Sequence, residues 1–159
     1  MDVIQFFVPG NPKGLKRHRT TKTGYQYDPN KADKSDFLAK AMEHRPDQPL
    51  RVPLALTLVC VFPRPKAHYR TGKHSDELRD DAPQWYGKAP DADNVVKFVG
   101  DALNGIFWHD DRLIAVATVY CVYGVTPGIA VRISEPGDTE WSRVFWLLND
   151  VMGEVSVLK

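Results

Sequence analysis

The stretch after Pro90 leaves the chain the fewest choices. Val95, Val96, Val99, Ala102, Leu103 and Ile106 recur every three or four residues, the spacing of one helical face, and Asn104-Gly105 supplies a terminating pair. An amphipathic helix is predicted from about Asp93 to Asn104. Its opposite stripe carries Asp93, Lys97, Asp101 and Asn104. A tight Phe107-Trp108-His109-Asp110-Asp111 connection follows, and residues 113–123 are then apolar on both faces, as in a strand inside a sheet.

The remaining elements are shorter. Residues 3–8 form an apolar run stopped by Pro9-Gly10-Asn11-Pro12, a strand followed by breakers. Residues 33–43 place Phe37, Leu38 and Met42 among polar neighbours, a helix starting near Ser35 or Asp36. Residues 54–62 are apolar, rich in β-branched residues and too short for a helix, hence a buried strand, and residues 129–133 read as a final strand. Residues 64–90 show no periodicity, and a loop that long in a compact domain is more often functional or mobile than idle. After Glu135-Pro136-Gly137, Trp141, Val144, Phe145 and Leu148 stand at helical spacing. With 159 residues the chain can bury one ordinary core, so residues 1–159 are read as one domain mixing strands and helices, residues 136–159 being a C-terminal helical extension.

Cys60 and Cys121 both fall inside apolar runs, where a reduced thiol acts as a small hydrophobe, so a disulfide framework is not expected. No basic-then-apolar leader opens the sequence, and no run nears the roughly 18 apolar residues of a membrane span. A cytoplasmic protein is expected.

The formal net charge of +1 gives the molecule little overall attraction for polyanions. Its charges are nonetheless segregated. Lys13, Lys16, Arg17, Arg19 and Lys22 follow one another without an acid, as do Arg64, Lys66, Arg70 and Lys73, while acids concentrate from Asp91 to Asp111 and in the tail.

Those acids bracket the predicted helix. Asp91 and Asp93 stand two apart just before it, where extended backbone turns residues i and i+2 to the same side. Two carboxylates facing one point repel, and a hard divalent cation with oxygen ligands is the usual compensation. Asp110-Asp111 adds a third carboxylate if the following strand runs back along a helix on the order of 18 Å long, at 1.5 Å per residue. Lys97 lies one turn after Asp93, placed to offset charge developing on a phosphate. Each residue also has a plainer reading: Asp93 as a helix N-cap, Asp93–Lys97 as a surface pair, Asp110-Asp111 as turn residues. The five histidines show no metal-ligand spacing, and there is no glycine-rich phosphate loop.

The run Lys88-Ala89-Pro90-Asp91-Ala92-Asp93-Asn94-Val95-Val96-Lys97, then Asp101-Ala102-Leu103-Asn104-Gly105, then Trp108-His109-Asp110-Asp111 resembles the signature of the RusA-type Holliday junction resolvases. A looser likeness extends over residues 1–135. The resemblance implies an α/β fold of the α+β type, a small mixed sheet with two or three helices packed on it. It implies a homodimeric endodeoxyribonuclease that resolves four-way DNA junctions by paired nicks in recombination and repair, with Mg²⁺ as cofactor and Mn²⁺ able to replace it. Carried over, the family's metal-binding aspartates fall on Asp91, Asp93 and Asp111 and its essential lysine on Lys97, with Asp110 in a supporting place. Lys13, Lys16, Arg17, Arg19, Arg64, Lys66, Arg70 and Lys73 become the groups expected to neutralise DNA phosphates. Tyr25, Tyr27, Tyr69, Trp85 and Tyr86 lie in the same irregular regions, where packing and stacking on opened bases both stay open. A phage or bacterial setting is also implied. The loop from Lys66 to Trp85 is longer than in the smallest members, and they have no counterpart of the tail. Substrate preference therefore stays open between junctions and flaps or forks of phage replication or packaging, and a non-catalytic DNA-binding accessory of the same fold is the contrasting reading.

Overall fold

The computed structural model describes residues 1–16, 19–24 and 26–137. Arg17 and the helix expected from Trp141 onward lie outside the described residues. Within them are β1 (Ile4–Pro9), β2 (Arg19–Thr20), β3 (Gln26–Tyr27), α1 (Lys31–Ala41), β4 (Leu54–Pro63), α2 (Ala92–Leu103), β5 (Ile114–Gly124) and β6 (Gly128–Ser134). Four strands form a sheet in the order β1-β6-β4-β5, and β2 and β3 make a separate small hairpin. The sheet is mixed: β6 runs antiparallel to both β1 and β4, whereas β5 runs parallel to β4. The α+β architecture expected from the resemblance is the one observed, with two helices among the described residues.

Position in the sheet explains the strand sequences. β4 lies between β6 and β5 and is buried from Leu54 through Phe62, which matches an apolar run without alternation. β5 carries an equally apolar sequence but is an edge strand, so the interior position expected for residues 113–123 is corrected; several of its residues are only half-buried. Residues Gln84 to Tyr86 cover part of that edge: Tyr86 N–H donates to the Cys121 carbonyl at 2.9 Å and Tyr123 N–H to the Gln84 carbonyl at 2.9 Å. Where β1 and β6 pair, Gly128 admits no side chain, because a Cβ there would fall 2.7 Å from the Val8 carbonyl oxygen.

Between the parallel strands β4 and β5 the chain makes its crossover through α2, the connection that parallel pairing requires. Val95, Phe98, Val99, Ala102 and Leu103 are buried in the core with Leu54, Leu56, Leu58 and Cys60 of β4 and Ile129, Val131 and Ile133 of β6. The helix occupies Ala92–Leu103, one residue earlier at each end than the sequence pattern implies. α1 begins at Lys31, well ahead of Ser35, because Asp28 and Asn30 build a polar turn that starts it. It packs on α2 through Phe37 and Phe98, whose rings meet edge to face at 5.8 Å. Among the described residues no helix is long and apolar enough to cross a membrane.

The long segment after β4 is irregular but internally tied. It contains single helical turns at Lys66–His68 and Gly72–His74, an antiparallel bridge between Tyr69 and Leu78, and backbone hydrogen bonds from Arg70 to Glu77 and from Arg79 to His68.

Candidate active site

α2 starts with Asp91 in the N-cap position, its backbone extended, so the cap that the plain reading gave to Asp93 lies two residues earlier. The Asp91 side chain makes no capping bond to the helix backbone; its carboxylate instead accepts from Asn94 Nδ2. Asp93 sits in the first turn, where the helix dipole favours negative charge. Lys97 Nζ donates to Asp93 Oδ2 at 2.8 Å, and both side chains are more than half exposed. That hydrogen bond, together with contact with the Asp91 carboxyl, holds the Asp93 pKa below its ordinary value. In turn Asp93, and less strongly the Asp91 charge, raise the lysine. The structure thus brings Asp91, Asp93 and Lys97 into one exposed group at the N-terminal end of α2.

Asp111 is elsewhere. β5 does return along α2, but the residue it brings beside Asp91 is Cys121, with which Asp91 lines a hollow of about 540 Å³. Asp111 precedes β5, at the opposite end of a 12-residue helix and so roughly 18 Å away along its axis. Among the described residues no three His, Cys, Asp or Glu side chains gather as a metal site. The corner that carries Asp111 is firmly built: Gly105, with φ of +77°, donates its N–H to the Trp108 carbonyl at 2.7 Å, and His109 N–H donates to the Leu50 carbonyl at 2.9 Å. Trp108 is wholly buried, and its indole Nε1 donates to Asp111 Oδ1 at 2.9 Å. Asp110 has turned to local work, accepting from the Arg112 backbone N–H and pairing with the Arg112 guanidinium at 2.9 and 3.1 Å, which lowers its pKa.

Within the first basic segment, Gly14 to Lys16 are pinned beside the aspartate pair. Leu15 N–H donates to the Asn94 carbonyl at 2.9 Å, and Gly14 lies so close to Pro90 that a Cβ would come within 2.6 Å of that ring. From the other side Asn30, buried to 1% exposure, grips Lys16 with its side chain, accepting from the Lys16 N–H at 2.9 Å and donating to the Lys16 carbonyl at 2.7 Å. Lys13 and Lys16 are exposed on this loop, and Arg19 is exposed in the β2–β3 hairpin beyond it. In the second basic segment, Arg64 donates to the Pro83 carbonyl at 2.7 Å and Arg70 to Asp80 at 3.0 Å, while Lys66 and Lys73 are exposed. Sequence reasoning missed Asn94, Trp108 and Asn30. The first two stand three residues from an aspartate they serve; for Asn30 no local signal distinguishes it from a turn residue.

The model of one protein family, Endodeoxyribonuclease RusA, matches residues 9–134. The chain is a member of the RusA family. The matched interval runs from the last residue of β1 to the last residue of β6, so it takes in both ends of α2, the pinned basic loop and the Trp108–Asp111 corner. A second likeness is to "Uncharacterized protein YqaN" of Bacillus subtilis (strain 168), 31% identical over 140 residues, which covers 85% of this chain and 98% of that protein. RusA proteins are endodeoxyribonucleases by the family's own description, and the resemblance read from the aspartate-rich runs is one of membership.

Proposed function

We propose that the chain is a divalent-cation-dependent endonuclease of branched DNA, acting on four-way junctions, with its chemistry at the N-terminal end of α2. The observation that carries this reading is the exposed group of Asp91, Asp93 and Lys97 beside a pinned basic loop, in a member of an endodeoxyribonuclease family.

The donor set suits Mg²⁺. That ion is commonly held by one or two carboxylates, substrate phosphate and retained waters rather than by an all-protein cage, and Asp91 and Asp93 offer two hard oxygen donors open to solvent. When bound, the ion supplies an activated water and a partner for a phosphate oxygen. Mn²⁺ has the same preference for oxygen. The residues do the rest. Asn94 holds the Asp91 carboxylate in place. Lys97, which neutralises Asp93 in the free protein, reaches a phosphate bound there and offsets the charge that builds on it. Lys13 and Lys16 attract the backbone on either side of the scissile bond.

Asp111 joins this site from a second copy of the chain. One protomer keeps its own Asp111 at the far end of α2, and a two-fold axis that sets two such helices antiparallel puts Asp111 of the partner subunit beside Asp91 and Asp93, twice over. The same symmetry gives a junction two matched cuts. The purified protein should nick a synthetic four-way junction with Mg²⁺ or Mn²⁺ and not with EDTA, and cut linear duplex and forks less. Equal cutting in EDTA overturns the metal assignment; equal cutting of linear duplex overturns the branched substrate.

A further inference from the structure

Directly before the aspartate pair lies an aromatic hollow that the chemistry at the phosphate leaves unused. Its volume is about 320 Å³, its floor is Phe62, Tyr86 and Tyr123, and its rim includes Asn11, Lys88 and Pro90, within the range of roughly 300–1,000 Å³ typical of small-molecule sites. The floor is rigid. Tyr86 stacks on Phe62 with centroids 3.6 Å apart and meets Tyr123 edge to face at 5.2 Å. Its backbone is hydrogen-bonded to β5, and its hydroxyl donates to the Ala89 carbonyl. The Arg64 guanidinium lies over the Tyr123 ring at 5.7 Å, so Arg64 and Lys88 make the surroundings cationic.

We propose that this hollow receives one nucleobase unstacked from the strand being cut. Three observations converge on that occupant. A fixed aromatic ring suits any base, because every base has a π-face, and Tyr86 is the half-buried ring of the three, backed by Phe62 and Tyr123 at 4% exposure each. Lys88 at the rim suits a phosphate that flanks it, and Asn11 offers donors and acceptors to a base edge. Pro90 on the rim precedes Asp91, with Cα atoms ~3.8 Å apart, and Tyr86, Lys88 and Pro90 also line the second hollow, which contains Asp91. A strand whose phosphate sits at Asp91, Asp93 and Lys97 therefore reaches the aromatic floor within a nucleotide or so. Bases at a branch point leave their stack at lower cost than bases inside a duplex, so such a pocket selects branched over continuous DNA.

This inference rests on the nuclease reading, and one experiment separates their failures. A four-way junction carrying 5-iododeoxyuridine at the branch point is irradiated with the full-length protein in EDTA, and cross-linked peptides are identified by mass spectrometry. A matched sample with Mn²⁺ is assayed for nicking. Cross-links at Tyr86 or Tyr123 that are absent when the label lies inside an arm support the pocket. Nicking with cross-links confined to other peptides overturns it and leaves the nuclease standing; aromatic cross-links without nicking uphold the pocket and defeat the nuclease. Tyr86→Leu should weaken junction binding about tenfold and linear duplex binding little, whereas Tyr86→Phe, which keeps the ring and controls for folding, should bind as the parent does. Equal junction affinity for a folded Tyr86→Leu protein also overturns the proposal.

Discussion

Trp108 Nε1 and Asp111 Oδ1 stand 2.9 Å apart, so a wholly buried indole fixes the direction of a carboxylate that projects from the surface. Partners of this kind matter to metal sites, where removing one typically costs about 10- to 100-fold in affinity or activity. Trp108→Phe should therefore lower Mn²⁺-supported junction cleavage by about tenfold, with activity recovering as Mn²⁺ is raised. Cleavage unchanged at limiting Mn²⁺ would show that the orientation of Asp111 is immaterial.

In the proposed site Lys97 acts on the phosphate and not on the cation. Lys97→Ala should reduce cleavage by about 100-fold, as expected for loss of one charge-stabilising donor, while Mn²⁺ affinity in the absence of DNA holds or improves. The hydrogen bond from Lys97 is the main cause of the depressed Asp93 pKa. The same variant should thus let that pKa climb toward the ordinary carboxylate value, which carboxyl ¹³C shifts followed against pH will register.

Asn30 ties the basic loop to the start of α1. Because its side chain satisfies both backbone groups of Lys16 in a buried position, Asn30→Ala should cost about 1–3 kcal/mol in urea unfolding, the penalty for orphaned buried polar groups. Junction affinity at low salt should fall with it as the loop loses its seat. Unaltered stability would mean that water replaces the amide without loss.

Asp28 contributes to acid resistance. Hydrogen bonds from Lys34 and from the Asn30 backbone lower its pKa from 3.8 to about 2, with Lys34 Nζ 2.6 Å from its carboxylate. The folded value lies below the unfolded one, so the contribution is complete above about pH 4, declines as the pH falls below 3.8 and vanishes below about 2. Asp28→Asn should be less stable than the parent at pH 5 and lose less stability between pH 4 and 2. Parallel stability curves across that window would contradict the assignment.

How much of this was legible in the sequence depends on the range of the interaction. α2 was readable because Val95, Val99, Ala102 and Leu103 obey a local period, and the contact of Asp93 with Lys97 follows from that period alone. The edge position of β5 was hidden because its composition matches that of central β4 and only non-local pairing tells them apart. The place of Asp111 needed both the helix length and the direction of the return. The strand does come back, but it starts after Asp111 and so carries Cys121 to Asp91. Asn30 was missed for the same reason, since its partner Lys16 is 14 residues away across the hairpin.

In the proposed site Asp91 and Asp93 of one protomer act together with Asp111 of the partner subunit. Asp93→Asn and Asp111→Asn, each inactive alone, should be co-expressed and assayed on a four-way junction. The mixed dimer then holds one wholly native site and one doubly altered site, and the account predicts that nicking reappears as single cuts. No activity from a verified mixed dimer would contradict it, because each site would then have to be built within one chain.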